Sequence, residues 1–111
     1  MKPRPETLDS KTTMVPTGHG KLYITITEHE GKPFEVFCTI GMCGASIMAK
    51  AEAIGRMVSL ALRSDVAVDK IVDQLIDIAG SEQRAWKDTV IKSIPDAIGK
   101  VLKERYIDVV R

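Results

Sequence analysis

The architecture of this chain follows from residues 22–40, which read LYITITEHEGKPFEVFCTI. The first six of them alternate strictly between apolar and polar, so Leu22, Ile24 and Ile26 share one side, as in a half-buried strand. The last seven alternate again, after a turn with a glycine at its centre. The pattern predicts an antiparallel β-hairpin that leaves a free edge strand.

The pattern changes to a helical period behind the hairpin. Apolar residues recur at spacings of three and four from 45 to 63, which predicts a helix with one buried stripe. The members of this stripe are Ile47, Ala51, Ile54, Val58 and Leu62. Met48, Met57 and Leu60 lie outside the stripe, and apolar surface beyond one face of a helix predicts a second packing partner.

Two further helices are predicted in the second half of the chain. Periodic apolar residues indicate a helix over 66–79, with Gly80 as its C-cap. A last helix over 94–106 begins after Ser93, which is typical of an N-cap. Residues 81–92 show no clean period, and we expect a connection that contains a turn of helix.

These elements predict an α+β fold in which three helices cover one face of a small antiparallel sheet. The length of 111 residues fits one domain. Residues 1–20 are rich in proline and hydroxyl side chains and predict an extended arm, with at most a short strand at 12–15. The core is expected over 21–111.

Composition narrows the class of protein. Apolar residues make up 44% and charged residues 28%, which is too apolar for a disordered chain. The net charge of +1 provides no argument for a nucleic-acid or membrane partner. No segment has the length of a membrane span or the pattern of a signal peptide, so we expect a cytoplasmic protein.

The junction between the hairpin and the first helix is the best candidate ligand site. Gly41, Gly44, Ala45 and Ser46 form a glycine loop before a helix N-terminus, where backbone N–H groups favour an anion such as a nucleotide phosphate. Arg56 is a candidate flanking cation. The alternative is an ordinary tight turn that needs its glycines and uses Ser46 as the cap. If the loop binds an anion, we expect Gly44→Asp to abolish binding, because its side chain would crowd the loop and its negative charge would oppose the anion.

The two cysteines do not form a recognisable catalytic or metal motif. Cys38 shares the apolar face of its strand and is expected to be structural, whereas Cys43 lies in the loop and is a candidate reactive thiol. Their spacing fits neither CxxC nor common zinc sites. We therefore expect no bound metal, no cofactor and no catalytic residues.

Eight short motifs stand in order along the chain: RPETL at 4–8, TGHGKLYITI at 17–26, PFEVF at 33–37, GMCG at 41–44, EAIGR at 52–56, SLALR at 59–63, IVDQL at 71–75 and SIPDAIG at 93–99. In this order they resemble the TSCPD domain, found near the C-terminus of adenosylcobalamin-dependent (class II) ribonucleotide reductases and also as free-standing proteins. The family typically has cysteine where this chain has Ile94. Family cysteines near His19 and near 79–81 are also missing, so a cluster formed by them would be lost here.

The resemblance implies a non-catalytic accessory or interaction domain of deoxyribonucleotide metabolism, with no activity expected from the chain by itself. Its expected partner is a second copy, as a homodimer, or a larger reductase subunit. The alternative is a free-standing protein that binds a nucleotide or another phosphate at residues 41–46.

Overall fold

The structure, a computed structural model, describes residues 1–42 and 44–109. It has an α+β fold, as the sequence predicts. The elements in chain order are β1 (Asp9–Thr17), β2 (Gly20–His29), β3 (Lys32–Ile40), α1 (Ala45–Arg63), α2 (Val68–Leu75), β4 (Arg84–Trp86), β5 (Thr89–Ile91) and α3 (Ile94–Tyr106). Within the described residues, no helix is long and apolar enough to cross a membrane.

The predicted hairpin is confirmed as β2 and β3. These strands pair antiparallel around a two-residue turn at Glu30 and Gly31, whose φ angles of 55° and 76° are both positive. Two positive φ angles match the right-handed twist of the flanking strands, which is why a glycine stands here. β1 pairs with β2 along nine residues, so the sheet order is β1-β2-β3, and the strand is longer than the expected 12–15.

The free edge of β3 is partly covered by α1, unlike the open edge expected from the hairpin. The Ser59 hydroxyl accepts a hydrogen bond from the Val36 N–H at 2.9 Å and lies 3.1 Å from the Val36 carbonyl oxygen, to which it donates. A Cβ atom at Gly55 would lie only 3.1 Å from that carbonyl oxygen. The glycine therefore lets the helix approach the strand backbone closely.

The core lies between the inner face of the sheet and the helices. Leu22, Ile24 and Ile26 are fully buried, as their alternation predicts. The α1 stripe is confirmed, with Ala51, Val58 and Leu62 buried and Ile47 and Ile54 packed at the rim. The bounds predicted for the first and last helices, 45–63 and 94–106, also agree with α1 and α3.

The segment between α1 and α3 differs most from the sequence predictions. α2 ends at Leu75, because Ile76 is extended and Asp77 takes a positive φ of 65°, so Gly80 is not its C-cap. The predicted turn of helix in 81–92 was wrong: these residues form the hairpin of β4 and β5. Strands of three residues carry too little alternation to be recognised, and the turn has Lys87 at positive φ without a glycine.

Candidate functional site

The loop before α1 does not need its glycines for space. A Cβ atom at Gly41 or Gly44 would meet no other atom of the described chain within 4 Å. Gly44 is the N-cap of α1 with φ −68° and ψ 158°, an extended conformation open to any residue, and among the described residues no side chain caps the helix. Ser46 is therefore not the cap, and the expected crowding by Gly44→Asp was wrong. Cys43, the candidate reactive thiol, lies outside the described residues.

Arg56 is not part of the loop site predicted from the sequence. It lies eleven residues along α1 from Ala45, roughly 16 Å at the rise of an α-helix. Gly41 and Gly44 lie in the loop and Ala45 and Ser46 are the first two residues of α1, while Arg56 lies nearly two-thirds of the way along the helix. The first turn of α1 reads Ala-Ser-Ile-Met and by itself adds no positive charge to the cap.

Arg56 instead lies in a groove between the outer edge of β3 and α1. Two neighbouring cavities of about 500 and 450 Å³ share Cys38, Thr39, Glu52 and Arg56. We call their union the β3–α1 groove; its walls further include Phe37 of β3 and Met48, Ser59, Leu60 and Arg63 of α1. Sequence reasoning missed this groove, because it forms only where the helix packs along the strand.

The β3–α1 groove contains two guanidinium groups with different partners. Arg56 forms an exposed ion pair with Glu52 on the same helix, with 2.8 Å between Nη2 and Oε2. Arg63 donates from Nη2 to the Lys2 carbonyl oxygen at 2.9 Å, and its guanidinium lies 5.2 Å from the centre of the Phe34 ring. These contacts hold Arg63 in place, whereas Arg56 remains largely in solvent.

Cys38 is partly buried and packs against the core, which agrees with its predicted place on the apolar face of its strand. Burial raises the pKa of its thiol to about 12, so the thiol remains protonated near neutral pH. The thiolate is the nucleophilic form of cysteine. Cys38 therefore contributes surface to the groove rather than reactivity.

A second groove lies on the other side of α1, against α2. It encloses about 460 Å³ and is lined by Ala53, Ile54, Met57, Val58, Ala61, Ile71, Gln74 and Leu75. We call it the α1–α2 groove; its lining is apolar except for Gln74. Met57 is 65% exposed at its rim.

The apolar surface predicted outside the α1 stripe is present. Met48 and Leu60, which line the β3–α1 groove, are exposed as Met57 is.

The motif at 93–96 is a structural clamp. The Ser93 hydroxyl accepts a hydrogen bond from the Asp96 N–H at 3.2 Å and donates to the Ile78 carbonyl oxygen at 2.6 Å, which confirms the predicted N-cap. The Asp96 carboxylate is fully buried and accepts from the backbone N–H groups of Asp77 and Lys92 and from the Lys100 ammonium. The place of Asp96 three residues after the N-cap is a local signal of the helix start, but it does not reveal that Asp77 and Lys92, which lie outside α3, donate to its carboxylate.

The position of Ile94 is part of the core, where its side chain is 6% exposed. His19 is exposed in the turn between β1 and β2. In residues 1–42 and 44–109, no three histidine, cysteine, aspartate or glutamate side chains are grouped as a metal site requires.

The family model of the TSCPD domain matches residues 1–106 of the 111. The match reaches the last residue of α3, Tyr106, and so includes every helix and strand of the fold. No curated protein and no solved structure matches the chain.

Proposed function

Because the chain belongs to the TSCPD domain family, we propose that it is a non-catalytic interaction domain. It acts in the cytoplasm in deoxyribonucleotide metabolism, by docking on a larger subunit of an adenosylcobalamin-dependent ribonucleotide reductase. The choice of a reductase as the partner rests on the family resemblance. The choice of the docking surface rests on the exposed apolar residues of α1 beside α2.

The observation that supports docking is the α1–α2 groove. A monomeric soluble domain rarely exposes a continuous apolar surface without a use, and an apolar groove between two helices suits an amphipathic segment of a partner. Met57 at its rim is flexible and polarisable, as is typical of surfaces that accommodate a partner side chain. Gln74 of α2 adds one polar side chain to the lining, and polar groups around an apolar centre are usual at interfaces.

The docking proposal is tested by light scattering after size-exclusion chromatography. The purified chain is mixed with a class II reductase from which the corresponding domain has been removed. We expect a stable complex with the wild-type chain and none with Met57→Glu, because a carboxylate at the groove cannot be buried without a partner. Met14→Glu, an equal change at an exposed methionine on the outer sheet face, is the matched control.

Separate elution of the chain and the reductase at tens of micromolar would contradict the proposal. A mass near twice 12.2 kDa for the chain by itself, returned to that of a monomer by Met57→Glu, would instead identify a homodimer at this surface.

A further inference from the structure

The β3–α1 groove has the dimensions and chemistry of a small-ligand site. We infer that it binds a small phosphate monoester that carries an aromatic ring, with a nucleoside monophosphate as the model ligand. The site lies on the opposite side of α1 from the α1–α2 groove, so this inference does not depend on the docking proposal. Its two cavities of about 500 and 450 Å³ are within the usual size of ligand pockets.

The cations of the groove favour an anion. Arg56 and Arg63 are seven residues apart, which is about two helical turns, and so they lie on the same side of α1. The neighbouring carboxylate of Glu35 is already bound by Arg4, with 3.0 Å between Nε and Oε1. Among the described side chains that line the groove, only Glu52 then opposes the two guanidinium groups, and these three side chains together carry one excess positive charge.

Arg56 is available to a phosphate. Its side chain is 79% exposed and its Glu52 partner is 65% exposed. An exposed pair on one helix is weak and is readily exchanged for another anion. The planar guanidinium can bind a phosphate through two parallel hydrogen bonds.

The aromatic part of the ligand is accommodated by Phe37 at the rim of the groove. Its ring is 50% exposed although it occupies the middle of a strand. Leu60 is also half exposed and lines the same cavity. An exposed phenyl ring in a cavity that also contains Arg56 and Arg63 provides a stacking surface for a heterocycle.

The backbone of β3 provides polar groups beside this surface. Val36 directs both its N–H and its carbonyl toward Ser59 of α1, away from β2. In an antiparallel strand, residues i and i+2 direct their backbone N–H and carbonyl groups to the same side. The N–H and carbonyl groups of Cys38 therefore point toward the groove, as those of Val36 do. Gly55 has no side chain to cover them.

The test is a titration of the ¹⁵N-labelled chain with adenosine 5′-monophosphate, adenosine and inorganic phosphate, followed by NMR. We expect saturable binding of the monophosphate, with shifts at the amides of Cys38, Thr39 and Arg56. Arg56→Gln should weaken it about tenfold, whereas Glu52→Gln should strengthen it. Phe37→Ala should weaken binding of the monophosphate by about tenfold and leave that of inorganic phosphate unchanged.

Lys50→Gln is the matched control, since it removes the same charge from the same helix about 120° around its axis from Arg56. Equal weakening by Lys50→Gln and Arg56→Gln would overturn the inference in favour of unspecific charge attraction. Shifts confined to residues 44–47 would also overturn it and place the anion at the start of α1. The inference would also be overturned if the wild-type chain showed no saturable binding of the monophosphate at millimolar concentration. This last measurement requires no variant.

Discussion

The carboxylate of Asp96 accepts three hydrogen bonds, at 2.7 Å from the Asp77 N–H and at 2.8 Å from both the Lys92 N–H and the Lys100 ammonium. Lys100 is itself only 11% exposed. Asp96→Ala leaves the backbone N–H groups of Asp77 and Lys92 without this acceptor, and it removes one partner of the nearly buried Lys100 ammonium, which still donates to the Val90 carbonyl oxygen. We expect a loss of about 3–5 kcal/mol in the free energy of unfolding, measured in urea.

The control for that substitution is Asp73→Ala on the exposed side of α2. It is expected to change the stability by no more than about 0.5 kcal/mol. A loss at position 96 as small as the one at position 73 would show that the clamp contributes little.

A second residue-scale prediction concerns the N-cap of α1. Gly44→Asp keeps the extended backbone and meets open space. The new carboxylate accepts from the first N–H groups of the helix and lies at the positive end of its dipole. We expect a gain of about 0.5 kcal/mol and a higher Tm. A lower Tm would mean that the glycine is required after all.

At the scale of the elements, the contact between α1 and β3 covers part of the outer edge of the sheet. The Ser59 hydroxyl satisfies both backbone groups of Val36, which is 1% exposed. Ser59→Ala leaves a buried N–H without an acceptor and is expected to cost about 1–3 kcal/mol. Ser46→Ala, on the same helix but exposed, is the control. If both variants unfold at the same urea concentration, the edge of β3 needs no cover from Ser59.

At the scale of the whole molecule, stability depends on pH through Cys38. Burial raises the pKa of its thiol from 9.0 to about 12. The folded state retains a proton that the unfolded state loses, so this contribution is complete below pH 9 and is lost as the pH rises toward 12. We expect a loss of about 1.4 kcal/mol at pH 10 relative to pH 8.

The measurement is the free energy of unfolding in urea at several pH values between 8 and 10. Cys38→Ala should remove most of the decline, whatever its effect at pH 8. Tyr106, whose pKa is also raised to about 12 by burial, adds to the decline chiefly above pH 10. An unchanged slope in Cys38→Ala would assign the decline to other groups.

The α1–α2 groove and the β3–α1 groove lie on different sides of the same helix. α1 has the apolar α1–α2 groove on one side and the charged β3–α1 groove on the other. The two grooves share Ala53, but Met57 lines only the α1–α2 groove and Arg56 lines only the β3–α1 groove. This is why Met57→Glu and Arg56→Gln are expected to affect different measurements.

The amino-acid sequence by itself determined the hairpin of β2 and β3, the bounds of α1 and α3, and the cap at Ser93. Each of these depends on neighbours within a few residues: alternation with period two, apolar spacing of three and four, or a hydroxyl just before a helix. The exposure of Met57 also followed from its place outside the α1 stripe.

Only the tertiary structure decided the rest. β4 and β5 form because they pair with each other and pack on the rest of the fold, since three residues each carry too little strand preference by themselves. The clamp at Asp96 and the cover of Ser59 over Val36 join residues 19 and 23 positions apart. Arg56 could not be assigned to its groove, because the position of a side chain on a helix does not reveal which strand the helix will meet. Such contacts depend on how the elements pack, and packing is a property of the complete fold.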